Sequence, residues 1–163
     1  MIRTLIKACI HTGIGTCLIV WSAFAMADTH LLAPCPDSPN CVSSLATQAD
    51  KRVAPLQVGA DRQSSLKKLE SLLGNLPRVD YDVVGQSRIQ ARFTSRVLRF
   101  VDDVTFYVRD NGVVEVRSAS RTGYWDLGAN RRRVESLREQ LSEQDTDDRT
   151  SQQHAFGNAE HRV

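Results

Sequence analysis

The sequence predicts an α+β domain: an antiparallel sheet of about four strands, in the order α-β-β-β-β-α, with two helices packed on one face. Three observations carry that expectation. Leu66, Leu69, Leu72, Leu73 and Leu76 recur at three- and four-residue steps, and Val134, Leu137 and Leu141 repeat the pattern near the other end. Between them lie four strand-like segments, two of which alternate strictly between apolar and polar residues. Asp110-Asn111-Gly112 separates the last two as a hairpin turn. A period near 3.6 marks one buried face of a helix, and a period of two marks a half-buried strand. The composition of the 163 residues, 41% hydrophobic and 25% charged, suits one globular domain and excludes a collagen-like, multi-span membrane or polyelectrolyte chain.

The chain opens with Arg3 and Lys7 and no acid, continues through an apolar run from Ala8 to about Ala25, and then reads Ala25-Met26-Ala27 before Asp28. These are the three parts of a secretory signal peptide, with cleavage expected after Ala27 and export to the periplasm. The run approaches the ~20 residues of a membrane anchor, but its small-x-small end favours cleavage. Thr16 before Cys17 and Pro34 before Cys35 do not resemble the small residue that precedes a lipidated cysteine. Without Arg3 and Lys7 the 21 basic residues become 19, equal to the 19 acids, so net charge makes no case for a nucleic-acid partner. Cys35 and Cys41 remain, flanking the turn-forming Pro36-Asp37-Ser38-Pro39-Asn40, and an oxidising compartment predicts their disulfide. No cofactor or metal is expected, since no Cys/His pair has ligand spacing.

Residues 28–60 read as an irregular segment, with Val53-Ala54-Pro55-Leu56 as an edge piece. The first helix, about Asp61 to Leu73, starts at a cap on Asp61 or Ser64 and ends at Gly74-Asn75 before Pro77. Its Ser64-x-x-Lys67 matches the nucleophile motif of penicillin-recognising enzymes, but the companion motifs are missing. Strands are expected over Val79–Val84, Arg88–Ser95, Asp102–Arg109 and Val113–Ala119. A two-residue turn at Asn111-Gly112 would set Phe106 opposite Arg117 and mix core with charge. A three-residue loop with a left-handed Gly112 instead pairs Val108 with Val114, Phe106 with Val116 and Val104 with Ser118. That register turns Asp102 toward the core, opposite Ser120, and sends Asp103, Thr105, Tyr107 and Arg109 to the other face with Glu115 and Arg117. The second helix is expected from about Arg131 to Leu141 with Asn130 as its cap. The polar residues from Ser142 to Val163, an acidic tail, are expected to be disordered.

Ten arginines stand between Arg88 and Arg133 against five acids. Arg88, Arg92, Arg109 and Arg117 fall on the polar sheet face, as a basic surface for a polyanion or as members of cross-strand pairs. Arg131, Arg132 and Arg133 crowd a helix N-terminus, where the macrodipole is unfavourable to cations, so acids such as Asp126 and Asp102 or an external anion must compensate. Asp102, entering the core, needs a partner, and Arg121 and Arg131 are the candidates.

Cys35-Pro-Asp-Ser-Pro-Asn-Cys-Val-Ser-Ser44, Phe93-Thr-Ser-Arg96, Phe100-Val-Asp-Asp-Val104, Val116-Arg-Ser-Ala-Ser-Arg-Thr-Gly-Tyr124 and Asp126-Leu-Gly-Ala-Asn-Arg-Arg-Arg-Val134 follow one another in this chain. Together, over about Cys35 to Leu141, they resemble the family called domain of unknown function 1499. The resemblance implies a bacterial-envelope or plastid-lumen protein and no stated activity. It also draws attention to Arg96, Asp102, Asp103, Arg117, Ser118, Ser120, Arg121, Gly123, Asp126, Asn130 and Arg131.

The leading expectation is a non-catalytic periplasmic domain that binds an anionic envelope component, such as a phospholipid head group, or an envelope protein, with at most peripheral membrane contact. Its site would gather Arg96, Arg121, Arg131, Asn130, Asp102, Ser118, Ser120 and Asp126. One alternative is a small hydrolase-like enzyme using Asp102 with Ser118 or Ser120. The other is a structural module in which Arg–Asp pairs lock sheet to helix.

Overall fold

A computed structural model describes residues 31–160. The expected signal peptide lies outside the described residues, as do His30 and residues 161–163. Eight elements follow in order: β1 (Cys41–Ser43), β2 (Leu56–Gln57), α1 (Arg62–Asn75), β3 (Val79–Val84), β4 (Arg88–Thr94), β5 (Val101–Val108), β6 (Val113–Ser120) and α2 (Ala129–Glu160). All strand pairings are antiparallel, in the order β1-β6-β5-β4-β3, with β2 also pairing β6. The α+β class holds, but the sheet has six strands rather than about four. Both added strands come from the segment expected to be irregular. Without them β6 would present a row of open N–H and C=O groups. Cys41–Ser43 pairs with its second half and Leu56–Gln57 with its first. Strands of three and two residues are too short to carry a readable period.

The β5–β6 hairpin has the three-residue loop that its apolar pattern requires. Val108 faces Val114, Phe106 faces Val116, Val104 faces Ser118 and Asp102 faces Ser120. Gly112 has φ of 79°, left-handed backbone that glycine adopts without penalty. Space constrains it too, because a Cβ there would stand 2.1 Å from the carbonyl oxygen of Gly59. From α1 the buried Ser65 donates its hydroxyl to Gly112 O at 2.9 Å, tying helix to hairpin.

Helix α1 begins with a capping box. Asp61 accepts from Ser64 N at 2.9 Å, and Ser64 Oγ accepts from Asp61 N at 3.2 Å. Ser64 is thus engaged as a cap, which accounts for the residue without a nucleophile. Leu69, Leu72 and Leu73 of α1 and Val134, Leu137 and Leu141 of α2 bury against Ile89, Ala91, Val104, Phe106, Val108, Val114 and Val116, all on one sheet face. Phe93 packs on the edge of this core, half-buried.

Helix α2 departs from expectation at both ends. It starts at Ala129, so Asn130 lies inside the helix and Asp126 caps it. It also runs on to Glu160 through the stretch expected to be disordered. Nucleation is the expensive step in helix formation, and the packed turns at Val134 to Leu141 supply it. No glycine or proline interrupts Ser142 to Phe156, so each further residue adds a hydrogen bond that offsets the ordering of its own backbone. Lys68 of α1 pairs with Asp145 and fastens the extension to the body.

Gly112→Ala is expected to destabilise the domain by about 2 kcal/mol or more, because both backbone angle and space oppose the methyl group. A urea midpoint within error of the parent's would refute this account of the loop.

Candidate functional site

Strand alternation turns Asp102 toward the helix side of the sheet, where it is 6% exposed. Its partner is Arg133, not Arg121 or Arg131: an Arg133 guanidinium N–H donates to the Asp102 carboxylate. The second arm of the same guanidinium donates to Asn130 Oδ1 at 2.8 Å and Ser118 Oγ at 3.0 Å. Its Cζ lies over the ring of Phe93, 4.9 Å from the centroid, and Phe93 is the residue opposite Asp102 on β4. Such stacking suits a guanidinium, which is weakly hydrated and planar.

Asn130, fully buried, is the hub. Its Oδ1 also accepts the Ser118 hydroxyl at 2.6 Å, and its Nδ2 stands 2.7 Å from Asp126 Oδ2, 2.9 Å from Asn40 O and 3.0 Å from Ser120 Oγ. Asp126 accepts Gly128 N at 2.9 Å and Asn130 N at 2.8 Å, closing the N-terminus of α2 with the protein's own carboxylate. Partial burial disfavours the Asp126 charge, but those two backbone donors and the Asn130 amide outweigh it and hold the group below its ordinary 3.8. The cations expected to be unfavourable at this helix start are therefore compensated from within.

Of the eight residues predicted to form one site, Asp102, Ser118, Ser120, Asp126 and Asn130 do come together. The three arginines do not join them. Arg131 is two residues from Arg133, about 200° around the helix, and donates to Asp50 O at 2.6 Å and Arg52 O at 2.9 Å. Arg121 makes a two-bond fork to Asp103, both bonds 2.8 Å, on the opposite sheet face. Arg96 is exposed in the β4–β5 loop. Arg133 and Asn40 complete the cluster in place of these. Arg133 was readable as the residue one helical turn after Asn130, beside the Val134–Leu137 stripe. Asn40 reaches it only through the fold. The Cys35–Cys41 disulfide closes the preceding turn. From that turn the Asn40 amide donates to Gly123 O at 2.5 Å, while Asn40 O accepts Ser120 N at 3.1 Å.

The hydrolase geometry is not assembled. Ser118 sends its proton to Asn130, Ser120 accepts from Asn130, and Asp102 is held by Arg133, so neither serine meets the carboxylate. Among the described residues no group of three His, Cys, Asp or Glu gathers at metal-binding distance. The outer sheet face is paired across strands: Arg92 with Asp82 and Arg109 with Glu115, each at 2.8 Å. Asp103 pairs with Arg121. Arg117 is half-buried with its Nε shielded, and burial pulls its pKa down while Asp103 pushes it up. Arg88 donates to Leu31 O at 3.2 Å, which brings the N-terminal segment onto this face.

Arg133→Met is expected to destabilise by about 3–5 kcal/mol, since it strands a buried carboxylate. The double variant D102L/R133M should recover part of the loss, and strict additivity in urea titrations would refute the coupling. Asp126→Ala should remove about 1 kcal/mol of capping at neutral pH. Because folding lowers the Asp126 pKa, its stabilisation is full above the unfolded value and disappears as pH falls through the folded one. Thermal melts at falling pH should therefore converge for parent and variant. A constant gap down to strong acid would contradict the assignment.

Among curated proteins none matches the chain. The family model for DUF1499, described as a protein of unknown function, matches residues 31–141, which takes in every strand, α1 and the buried start of α2. The chain belongs to the DUF1499 family, and the cluster built on Asn130, Arg133 and Asp102 lies within the part that defines it.

Proposed function

We propose that this protein is a non-catalytic domain of the bacterial envelope, exported through a signal peptide cleaved after Ala27, that binds an anionic envelope component. The binding end is where the β4–β5 loop (95–100) and the β6–α2 loop (121–128) meet. One observation carries the reading: the polar side chains buried at the start of α2 are used on one another, whereas cationic chemistry at this end faces solvent. Asp102, Ser118, Ser120, Asn130 and Arg133 satisfy one another and leave no group directed at a substrate. Arg96 and Arg99 stand exposed in the first loop, and Arg132 is exposed at the base of the second. The only acid in either loop, Asp126, is occupied as the helix cap. The field at this end is thus positive although the chain from Asp28 onward is formally neutral.

The expected N-terminus of the exported protein is Asp28, checked by mass after expression in a bacterial host. Glycerol phosphate or inorganic pyrophosphate should raise its melting temperature at low salt, and R96E/R99E should abolish the rise. No shift with either anion, together with no binding to anionic vesicles, would end the reading.

A further inference from the structure

We infer that the anionic component is a bilayer surface, and that the two loops dock on it by inserting their apolar tips among the head groups. This rests on the reading just proposed and names its ligand. Three large apolar side chains of the β4–β5 loop, Val97, Leu98 and Phe100, are exposed, as are Tyr124, Trp125 and Leu127 of the β6–α2 loop; their exposure runs from 53% to 83%. The two loops leave the same end of the sheet. Ser95 N donates to Phe100 O at 2.8 Å to close the first, and Arg121 N donates to Val101 O at 3.1 Å to hold the second beside it. A concentration of exposed aromatic and aliphatic groups at one end marks an interaction surface.

These tips are braced. Arg121 is forked to Asp103, Gly123 O accepts from Asn40 of the disulfide turn, and Leu127 O accepts from Arg132 at 2.8 Å. Leu127 holds a left-handed φ of 54° and Arg99 one of 57°, conformations that side-chain-bearing residues adopt uncommonly. These ties hold the backbone on which Tyr124, Trp125 and Leu127 stand exposed.

The chemistry of the tips selects the occupant. Trp and Tyr favour the bilayer interface, where an apolar ring and a polar edge are both satisfied. Leu, Val and Phe reach the acyl boundary, and Arg96, Arg99 and Arg132 lie among them to meet phosphate. A second copy is a poor occupant, since a two-fold contact would set this cationic patch against itself.

The exported protein is tested by sedimentation with vesicles of phosphatidylglycerol mixed with phosphatidylcholine, and with phosphatidylcholine alone. It is expected to pellet with the first, more weakly at high salt, and far less with the second. Trp125, the one tryptophan left after removal of Trp21, should shift its emission to the blue and be quenched by brominated acyl chains. L98E/W125E should weaken binding at least about tenfold with an unchanged melting temperature, since both side chains are exposed. R96E/R99E should weaken it as well. Binding of glycerol phosphate without binding of vesicles would overturn the bilayer inference and leave the anion reading standing; binding of neither would overturn both. Vesicle binding unaffected by L98E/W125E would overturn insertion. A concentration-dependent dimer abolished by W125E would reassign the patch to self-association.

Discussion

Asn130 sits with no exposed surface at the start of α2, and its amide joins the turn before β1, strand β6, the β6–α2 loop and Arg133 of its own helix. Through Arg133 the connection extends to Asp102 on β5. A primary amide is suited to this place because it donates and accepts in fixed directions without carrying charge. Without it the hydroxyl proton of the fully buried Ser118 would lose its acceptor, at a cost of about 1–3 kcal/mol. The two charged members are placed for the same reason. Asp102 enters the core because Arg133 is there to receive it, and Arg133 is accepted there because Phe93, Ser118 and Asn130 occupy the rest of its guanidinium.

The cluster determines where the exposed loops stand. By holding α2 against β6 it sets the path of residues 121–128, and the disulfide turn steadies that path through the contact from Asn40 to Gly123. The Cys35–Cys41 bond closes only a short loop, so its entropic contribution is modest, about 2 kcal/mol. Its positional effect is larger than that figure suggests, because it delivers both the amide and the carbonyl of Asn40 to the sheet end. The proposed membrane-facing surface and the buried network are therefore two sides of one arrangement: rigidity within, apolar display without. No helix among the described residues is long and apolar enough to cross a membrane.

Several details were readable residue by residue. The hairpin register followed from Val104, Phe106 and Val108 against Val114 and Val116, because one slipped residue turns all of them to the wrong face. The inward turn of Asp102 followed from that register, and the Asp61–Ser64 cap from local spacing. Arg133 was misjudged against its neighbours Arg121 and Arg131 because several arginines within reach of one carboxylate look alike in sequence. Which of them wins depends on side-chain direction around α2 and on a ring from β4. The continuation of α2 to Glu160 has no counterpart in composition, which weighs a segment as if it stood alone, whereas a helix already nucleated by packing lowers the threshold for its continuation.

What the sequence determined by itself is whatever local periodicity and short-range geometry control: the α+β class, the hairpin with its glycine, the α1 cap and the closeness of Cys35 to Cys41. Tertiary structure alone decided the rest. It placed two short strands on the open edge of β6, chose Arg133 for Asp102, made Asn130 a buried hub with Asp126 as the cap, and brought Leu98 and Trp125 to the same end. The physical reason is distance along the chain. Ladder bonds, buried ion pairs and shared surfaces join residues tens of positions apart, and their energies exist only once the backbone has brought those residues together.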